Sequence, residues 1–451
     1  MIYTLIIILL GVSAIVGIVR PRAGAIFIWM FTWLYPNSLL YGTLPLNIRF
    51  DDLWVVYMFL ICLILHRQAS GLGRLTWLAI LWWVSTFLGN MTGLLITGGA
   101  AWETIIKFTS KSLYVPMTTY VLSCLLDSPR SLEGHIKGLV LAGVLAGLLG
   151  IVLVYFPGPF SAFLVPHYAY GMGAAEGIEA GEEITRRAQG SVGTTVLAVI
   201  ASSITLLALM LTVHQNRKGL RLFCGISCGA LVATLGYTAT RGAIGGTLAA
   251  VLWAIAFTRR RGVLISLAIL GGLVLMWQGG LIDRIMLRVV GRSGGEEVPF
   301  LAGMMGRLNI LGLFVDHFHP LFLVFGMGMA AAGETFQATV HNTYLGAFVY
   351  GGVLGAVVLV LVIARGIHLG RELLRAPNDP FSQAIGHFLL MLLVALMTYG
   401  VVAEDFQAPS PMQIFFAAMV FAEKRLQQVR AEQEVWLESY SAENAQWQPA
   451  A

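Results

Sequence analysis

Charge is what this sequence has least of. Only 11% of its 451 residues are Asp, Glu, Lys or Arg, and 57% are hydrophobic. A soluble domain carries about 25% charged residues, so a water-soluble enzyme is excluded. Cysteine is scarce too. Cys62, Cys124, Cys224 and Cys228 all fall in or near apolar runs. Cys224 and Cys228 share a helix face, but no His or carboxylate accompanies them, so small buried apolar side chains account for them better than a metal site. No Asp-x-Asp pair occurs anywhere, and no internal repeat is visible. Alternation over about 10 residues is also missing, which excludes an outer-membrane barrel.

What is present is a series of apolar runs about 20 residues long, from residue 2 to about residue 422, separated by short polar loops. The expected fold is all-α and polytopic, with 12–13 transmembrane helices and two long outer loops. Spans are read at about 2–19, 23–41, 53–66, 75–97, 105–125, 137–157, 191–213, 220–239, 242–258, 263–279, 343–365, 385–403 and 410–422. The third and last are short. The first ends in Arg20-Pro21-Arg22 rather than at a small-residue cleavage site, so it reads as a span and not as a cleavable signal. Residues 1–422 make one membrane domain. The tail, 423–451, begins as a charged helix and ends in polar residues, and reads as solvated and disordered.

Most Lys and Arg fall in one set of loops, including Arg20, Arg22, Arg217, Arg259, Arg260, Arg261 and Arg375, and that side is assigned to the cytoplasm. The tail is then cytoplasmic, and the long loops, about 158–190 and 280–342, lie outside. Long loops in compact proteins are usually functional. The first is Gly-rich and carries Glu176, Glu179, Glu182 and Glu183. In the second, Arg284, Arg288 and Arg292 stand four apart among apolar residues over 281–292. That spacing predicts an amphipathic helix with a cationic stripe, suited to lipid head groups.

The remaining basic residues lie toward the outer side, where topology does not explain them: Arg49, Lys107, Lys111, Arg186, Arg187, Arg241, Arg284, Arg288, Arg292 and Arg307. Arg241 is the most informative. Between Arg221 and Arg259 there are 37 residues for a whole hairpin. As helix these span about 55 Å, whereas two crossings of the bilayer core need roughly 60 Å. Arg241 therefore sits below the outer surface. A charge there is costly unless it is paired with a carboxylate or faces a wet cavity as an anion-binding group. Lys107 and Lys111, one turn apart, either face the same cavity or snorkel to the surface. Arg186-Arg187-Ala188-Gln189-Gly190 closes the first long loop just before a span. An arginine fork suits pyrophosphate better than an ammonium does, while a solvated loop charge is the plainer account of Arg186.

The second long loop ends in His341-Asn342-Thr343-Tyr344-Leu345. Gly346, Gly351, Gly352 and Gly355 follow and allow another helix close approach. At that outer helix mouth a neutral imidazole could take a proton from an acceptor hydroxyl, or His341 could cap or pack. Asp316, His317 and His319 with His341 form a constellation that could be read as metal ligands, but without an acidic pair it is the weaker alternative.

Four motifs stand in order over residues 187–365: Arg187-x-x-Gly190; Thr240-Arg241-Gly242-Ala243; Arg307 followed by His319-Pro320-Leu321 and Gly326-Met327-Gly328; and His341-Asn342-x-x-Leu345. Together they resemble the O-antigen ligase/polymerase superfamily of polytopic bacterial glycosyltransferases. The N-terminal part, Arg20-Pro21-x-x-Gly24 with Trp33-x-Tyr35-Pro36-Asn37, is similar to the exosortase-associated branch named as O-glycosylation ligases. Two departures are visible. Gly193-Thr194-Thr195 stands where the family has a Pro-Asn pair, and Leu323-Val324-Phe325 separates Leu321 from Gly326 where the family loop is tighter.

The resemblance implies metal-independent, inverting transfer of a glycan from an undecaprenyl-pyrophosphate carrier, on the periplasmic face of a bacterial inner membrane. The acceptor would be a glycan, a lipid or a protein. No cofactor and no nucleic acid is implied. In the same resemblance Arg187 and Arg241 hold the pyrophosphate and His341 activates the acceptor hydroxyl. Arg307, Asn342, Lys107 and Lys111 are the further candidate substrate contacts. A polymerase joining carrier-linked repeat units would use the same donor chemistry. A transporter or flippase for a lipid-linked saccharide would call for charge near the bilayer midplane and for internal repeats.

Overall fold

The computed structural model describes residues 2–34, 50–65, 73–98, 102–155, 194–238, 240–258, 260–277, 292–293, 296–297, 312–336, 342–376, 379–401 and 409–446. They form an all-α protein. The helices are α1 (Ile2–Val19), α2 (Pro21–Leu34), α3 (Phe50–Leu65), α4 (Arg74–Thr97), α5 (Trp102–Leu125), α6 (Pro129–Tyr155), α7 (Thr194–His214), α8 (Lys218–Thr238), α9 (Arg241–Phe257), α10 (Arg261–Trp277), α11 (Pro320–Phe325), α12 (Met329–Phe336), α13 (Thr343–Arg375), α14 (Pro380–Tyr399) and α15 (Pro409–Gln446). Each expected span falls on one of them. Among the described residues, α4, α6, α7, α8, α13 and α14 are long and apolar enough to cross a bilayer by themselves. The chain is a multi-pass membrane protein.

Burial sorts the helices into a centre and a ring. In α7 every residue over 197–214 is buried, and its sequence is apolar on all faces, as a helix enclosed by other helices requires. The helix packs against α6, α8, α9, α14 and α15. Ser202 of α7 and Thr247 of α9 share a hydroxyl hydrogen bond of 2.6 Å inside this packing. In α15, residues 411–422 are likewise all buried. That segment looked too short for a span because it is a core helix that lipid scarcely touches. Nor does it end there: the tail, expected to start as a charged helix and end disordered, continues the same helix to Gln446, with residues 431–440 exposed as a solvated tail requires.

A set of ion pairs among the described residues gathers on the end of the bundle assigned to the cytoplasm. Arg22 meets Asp127, Glu133 meets both Lys137 and Arg217, Arg365 meets Glu423, and Glu372 meets Arg375 and Arg430. The buried member is Arg425, only 7% exposed, which fixes α15 to the α13–α14 connection. Its Nε and Nη2 lie 2.9 and 2.8 Å from Asp379 Oδ2, and Nη1 lies 3.1 Å from Glu432. Asp379 also caps α14, accepting from the backbone of Phe381 and Ser382. Burial pulls its carboxyl upward, but hydrogen bonds from Ser382 and Arg425 and the Arg425 charge outweigh this and hold it below its ordinary value.

Parts of the second outer loop depart from expectation. Arg292 does not end an amphipathic helix: Arg292–Ser293 pairs antiparallel with Glu296–Glu297 in a two-residue ladder. Residues 281–291 of that expected helix lie outside the described residues, as do Glu176, Glu179, Glu182 and Glu183. Among the described residues the same loop also holds short helices that were not expected, α11 and α12 among them.

The expected orientation has a direct check. In a background lacking the four native cysteines, a single cysteine at Ser293 should react with an impermeant thiol reagent on intact spheroplasts, and one at Arg260 should not. Labelling at 260 without labelling at 293 would invert the topology.

Candidate functional site

At the end of the bundle opposite these ion pairs, two of the segments singled out in the sequence lie against the C-terminal part of α14. Gly246 of α9 lies so close to Ala395 of α14 that an added Cβ would sit 2.6 Å from its carbonyl oxygen. Arg241 is the first residue of that same helix. From α13, the Thr343 amide donates to the Gly400 carbonyl at 2.7 Å, and the Tyr344 hydroxyl donates to the Met397 carbonyl at 2.8 Å. The starts of α9 and α13 are therefore held against one helix end.

Asn342 is committed within the protein. As the N-cap of α13 its side-chain oxygen accepts from the Leu345 amide at 2.9 Å, and its side-chain amide donates to the Val401 carbonyl at 3.1 Å. The Asn-x-x-Leu spacing of the motif is thus a capping spacing, and Asn342 positions the chain immediately after His341.

The α9 start is different. Thr240 occupies the N-cap position without a side-chain cap, because its hydroxyl turns to the Thr238 carbonyl at 3.4 Å. Uncapped first-turn amides together with the helix dipole favour an anion. At 17 residues α9 is about 26 Å long, shorter than a bilayer core of about 30 Å. The Tyr237 hydroxyl, just before this turn, hydrogen-bonds the Tyr155 hydroxyl at the end of α6.

The Gly326-Met327-Gly328 motif has a mechanical explanation. α13 is broken at Gly352, whose φ of 61° is left-handed and suits glycine. The break releases the Val349 and Tyr350 carbonyls from the helix ladder. They accept instead from the Met327 amide at 2.8 Å and the Gly328 amide at 3.1 Å. Gly326 and Gly328 are left-handed as well, with φ of 77° and 75°. The loop is wedged between α13 and α4, where Gly89 and Gly93 leave room for it: a Cβ on Gly93 would lie 1.9 Å from the Met327 oxygen, and one on Gly89 2.0 Å from the Tyr350 oxygen. Irregular backbone inside a membrane protein is tolerated where protein surrounds it and satisfies its polar groups. The residues Leu323-Val324-Phe325, which separate Leu321 from Gly326, complete α11 and carry the chain into this wedge. His319 caps α11, its Nδ1 accepting from the Leu321 amide at 3.3 Å, and the His317 ring bonds the Leu313 carbonyl at 2.9 Å.

Beside the wedge lies a small cavity, open on one side, among α4, α5, α12, α13 and α15. Trp82, Ser85, Thr86 and Asn90 of α4, Ser112 of α5, and Tyr350, Gly351 and Gly355 of α13 line it, with Met329, Ala347, Leu359 and Pro409. Asn90 is fully buried. Its Oδ1 accepts from the Ala330 amide at 3.3 Å, so its Nδ2 has only the cavity side left, and it finds no partner in the protein. A buried donor left in that state costs about 1–3 kcal/mol. Of these cavity residues the sequence reading named Gly351 and Gly355, as positions for close helix approach, and none of the polar ones. The signal was present in Gly89-x-x-x-Gly93, the small-residue spacing that lets helices approach closely.

Lys111 is half-buried on α5, next to the cavity residue Ser112, and Lys107 lies one turn earlier on the same helix. His341, Arg187 and Arg307 lie outside the described residues. The architecture defines the class, a multi-pass helical membrane protein with a cavity beside a broken helix. No protein-family model matches the chain, and no curated protein matches it.

Proposed function

We propose that this protein transfers a glycan from an undecaprenyl-pyrophosphate carrier to an acceptor hydroxyl, in the manner of O-antigen ligases, on the periplasmic face of a bacterial inner membrane. The observation that carries the reading is the meeting of two motif-bearing helix starts at one end of α14: α9, which Arg241 opens, and α13, whose Asn342 cap follows His341. In the proposed reaction the acceptor oxygen attacks the anomeric carbon of the donor and its proton passes to His341. The bond from that carbon to the pyrophosphate oxygen breaks. The carrier pyrophosphate leaves with the electron pair, and the configuration inverts. Arg241 and Arg187, aided by the uncapped α9 terminus, stabilise the charge developing on the leaving group, the electrostatic work a metal does elsewhere. Arg307, Lys107 and Lys111 add positive charge around the donor, and Asn342 holds the segment that carries the base.

A lysine at position 241 tests the leaving-group contact. Arg241→Lys keeps the charge and loses the two-pronged hydrogen bond. It is expected to lose most transfer activity, and Arg241→Ala is expected to weaken donor binding as well, both in protein of wild-type thermal stability. A fully active Arg241→Lys variant would remove Arg241 from the pyrophosphate and leave it a structural ion-pair residue.

A further inference from the structure

The cavity between α4 and α13 has a chemistry that the reaction above does not use. Its walls combine two aromatic side chains, Trp82 and Tyr350, with the hydroxyls of Ser85, Thr86 and Ser112 and the amide of Asn90. Each hydroxyl donates its proton to its own helix: Ser85 and Thr86 to the Trp82 carbonyl, and Ser112 to the Thr109 carbonyl. Their lone pairs are then what they offer the cavity, while Asn90 offers unpartnered N–H donors. A group that both donates and accepts satisfies both kinds of site, and a hydroxyl is such a group.

Two other occupants fit less well. An isoprenyl or acyl chain would leave Asn90 and the hydroxyl lone pairs facing hydrocarbon. An anion would find no cation among the described lining residues, none of which is charged. An uncharged sugar ring has apolar C–H faces for the aromatic walls and hydroxyls for the polar positions. Space is available on the α13 side: Gly351 is buried, yet a Cβ added to it would meet nothing within 4 Å. Ala347, which also lines the cavity, is five residues into α13 from Asn342, about 8 Å along the helix.

We propose that this cavity is a subsite for an uncharged sugar unit of the glycan, with Asn90, Thr86 and Ser112 reading its hydroxyls and Trp82 and Tyr350 covering its ring. The proposal deepens the glycan-transfer reading and rests on it for the sugar's orientation toward His341. Binding itself can be measured without transfer, so the two can fail separately.

The test uses the full chain in lipid nanodiscs and saturation-transfer NMR. The probes are methyl β-D-glucopyranoside, methyl β-D-galactopyranoside and methyl N-acetyl-β-D-glucosaminide, with methyl β-D-glucuronide as the charged control. At least one neutral glycoside should receive saturation above empty discs, and the glucuronide should not. Gly351→Leu should abolish the signal. If that variant does not fold, Gly351→Ala, which places a methyl group in the open space, should lower it about tenfold at unchanged thermal stability. Thr86→Val, which keeps the shape and removes the hydroxyl, should lower it too. The proposal is overturned if no neutral glycoside exceeds empty discs, if the glucuronide binds equally, or if the signal survives the Gly351 variants. The transfer activity of wild-type protein on a lipid-linked donor judges the parent reading independently.

Discussion

His341→Ala is expected to leave donor binding close to wild type while lowering single-turnover transfer by about 10²–10⁴-fold, the usual loss when a general base is removed. The separation follows from the division of labour in the proposed reaction. The donor is held through its pyrophosphate by arginine and by the α9 terminus, and neither depends on the imidazole. The acceptor hydroxyl is a poor nucleophile until its proton has somewhere to go. Chain placement after His341 should survive the substitution, because Asn342 is fixed to Leu345 and Val401 and Thr343 to Gly400 by their own hydrogen bonds. Equal losses of binding and transfer would point to a packing role at the helix mouth. Transfer at near wild-type rate in a normally folded variant would remove His341 from the chemistry.

The largest expected effect on assembly is at Gly328. Gly328→Ala should cost about 2–5 kcal/mol, from a left-handed φ in an L residue and from a backbone collision that packing must relieve. The residue has φ of 75°, and an added Cβ would sit 2.4 Å from the Asn90 Cα, an atom that cannot move without shifting α4. Displacing the loop would also release the Val349 and Tyr350 carbonyls that it satisfies at the break in α13. Gly351→Ala is the matched control, with ordinary φ and open space ahead of it. The check is the thermal unfolding midpoint of both variants in the same detergent. Equal midpoints would mean that the wedge does not hold α4 and α13 together.

How much of this was legible beforehand depends on what each signal measures. Apolar runs report where helices can lie, so α4, α6, α7, α8, α13 and α14 were readable from length and composition. The same signal misjudged the last helix, because α15 is buried by protein over 411–422 and needs no bilayer-length run. Its continuation was read as a charged helix giving way to disordered residues; the helix runs on to Gln446, and Arg425 ties its start to Asp379 and Glu432, contacts between segments that periodicity does not report. The helices α11 and α12, with 6 and 8 residues, are too short for a period to show.

For the site, Arg241 stood out because a charge in an apolar hairpin demands a reason, and Asn342 because it sits in a motif. Asn90 and its cavity did not, since a single amide in an apolar helix carries no charge to mark it. The Gly89 and Gly93 spacing announces that something approaches α4. It does not say that the visitor is the Gly326-Met327-Gly328 loop, 240 residues away in the Asn90–Ala330 hydrogen bond.

The most direct test of the central claim is the reaction itself. Purified protein would be reconstituted in liposomes with an undecaprenyl-pyrophosphate-linked glycan and an acceptor extract from the native envelope, in excess chelator. The account predicts new glycan–acceptor conjugate and a matching release of glycan-free carrier, both undiminished by the chelator. Movement of intact lipid-linked glycan across the bilayer with no conjugate formed would contradict it, and would make the protein a transporter.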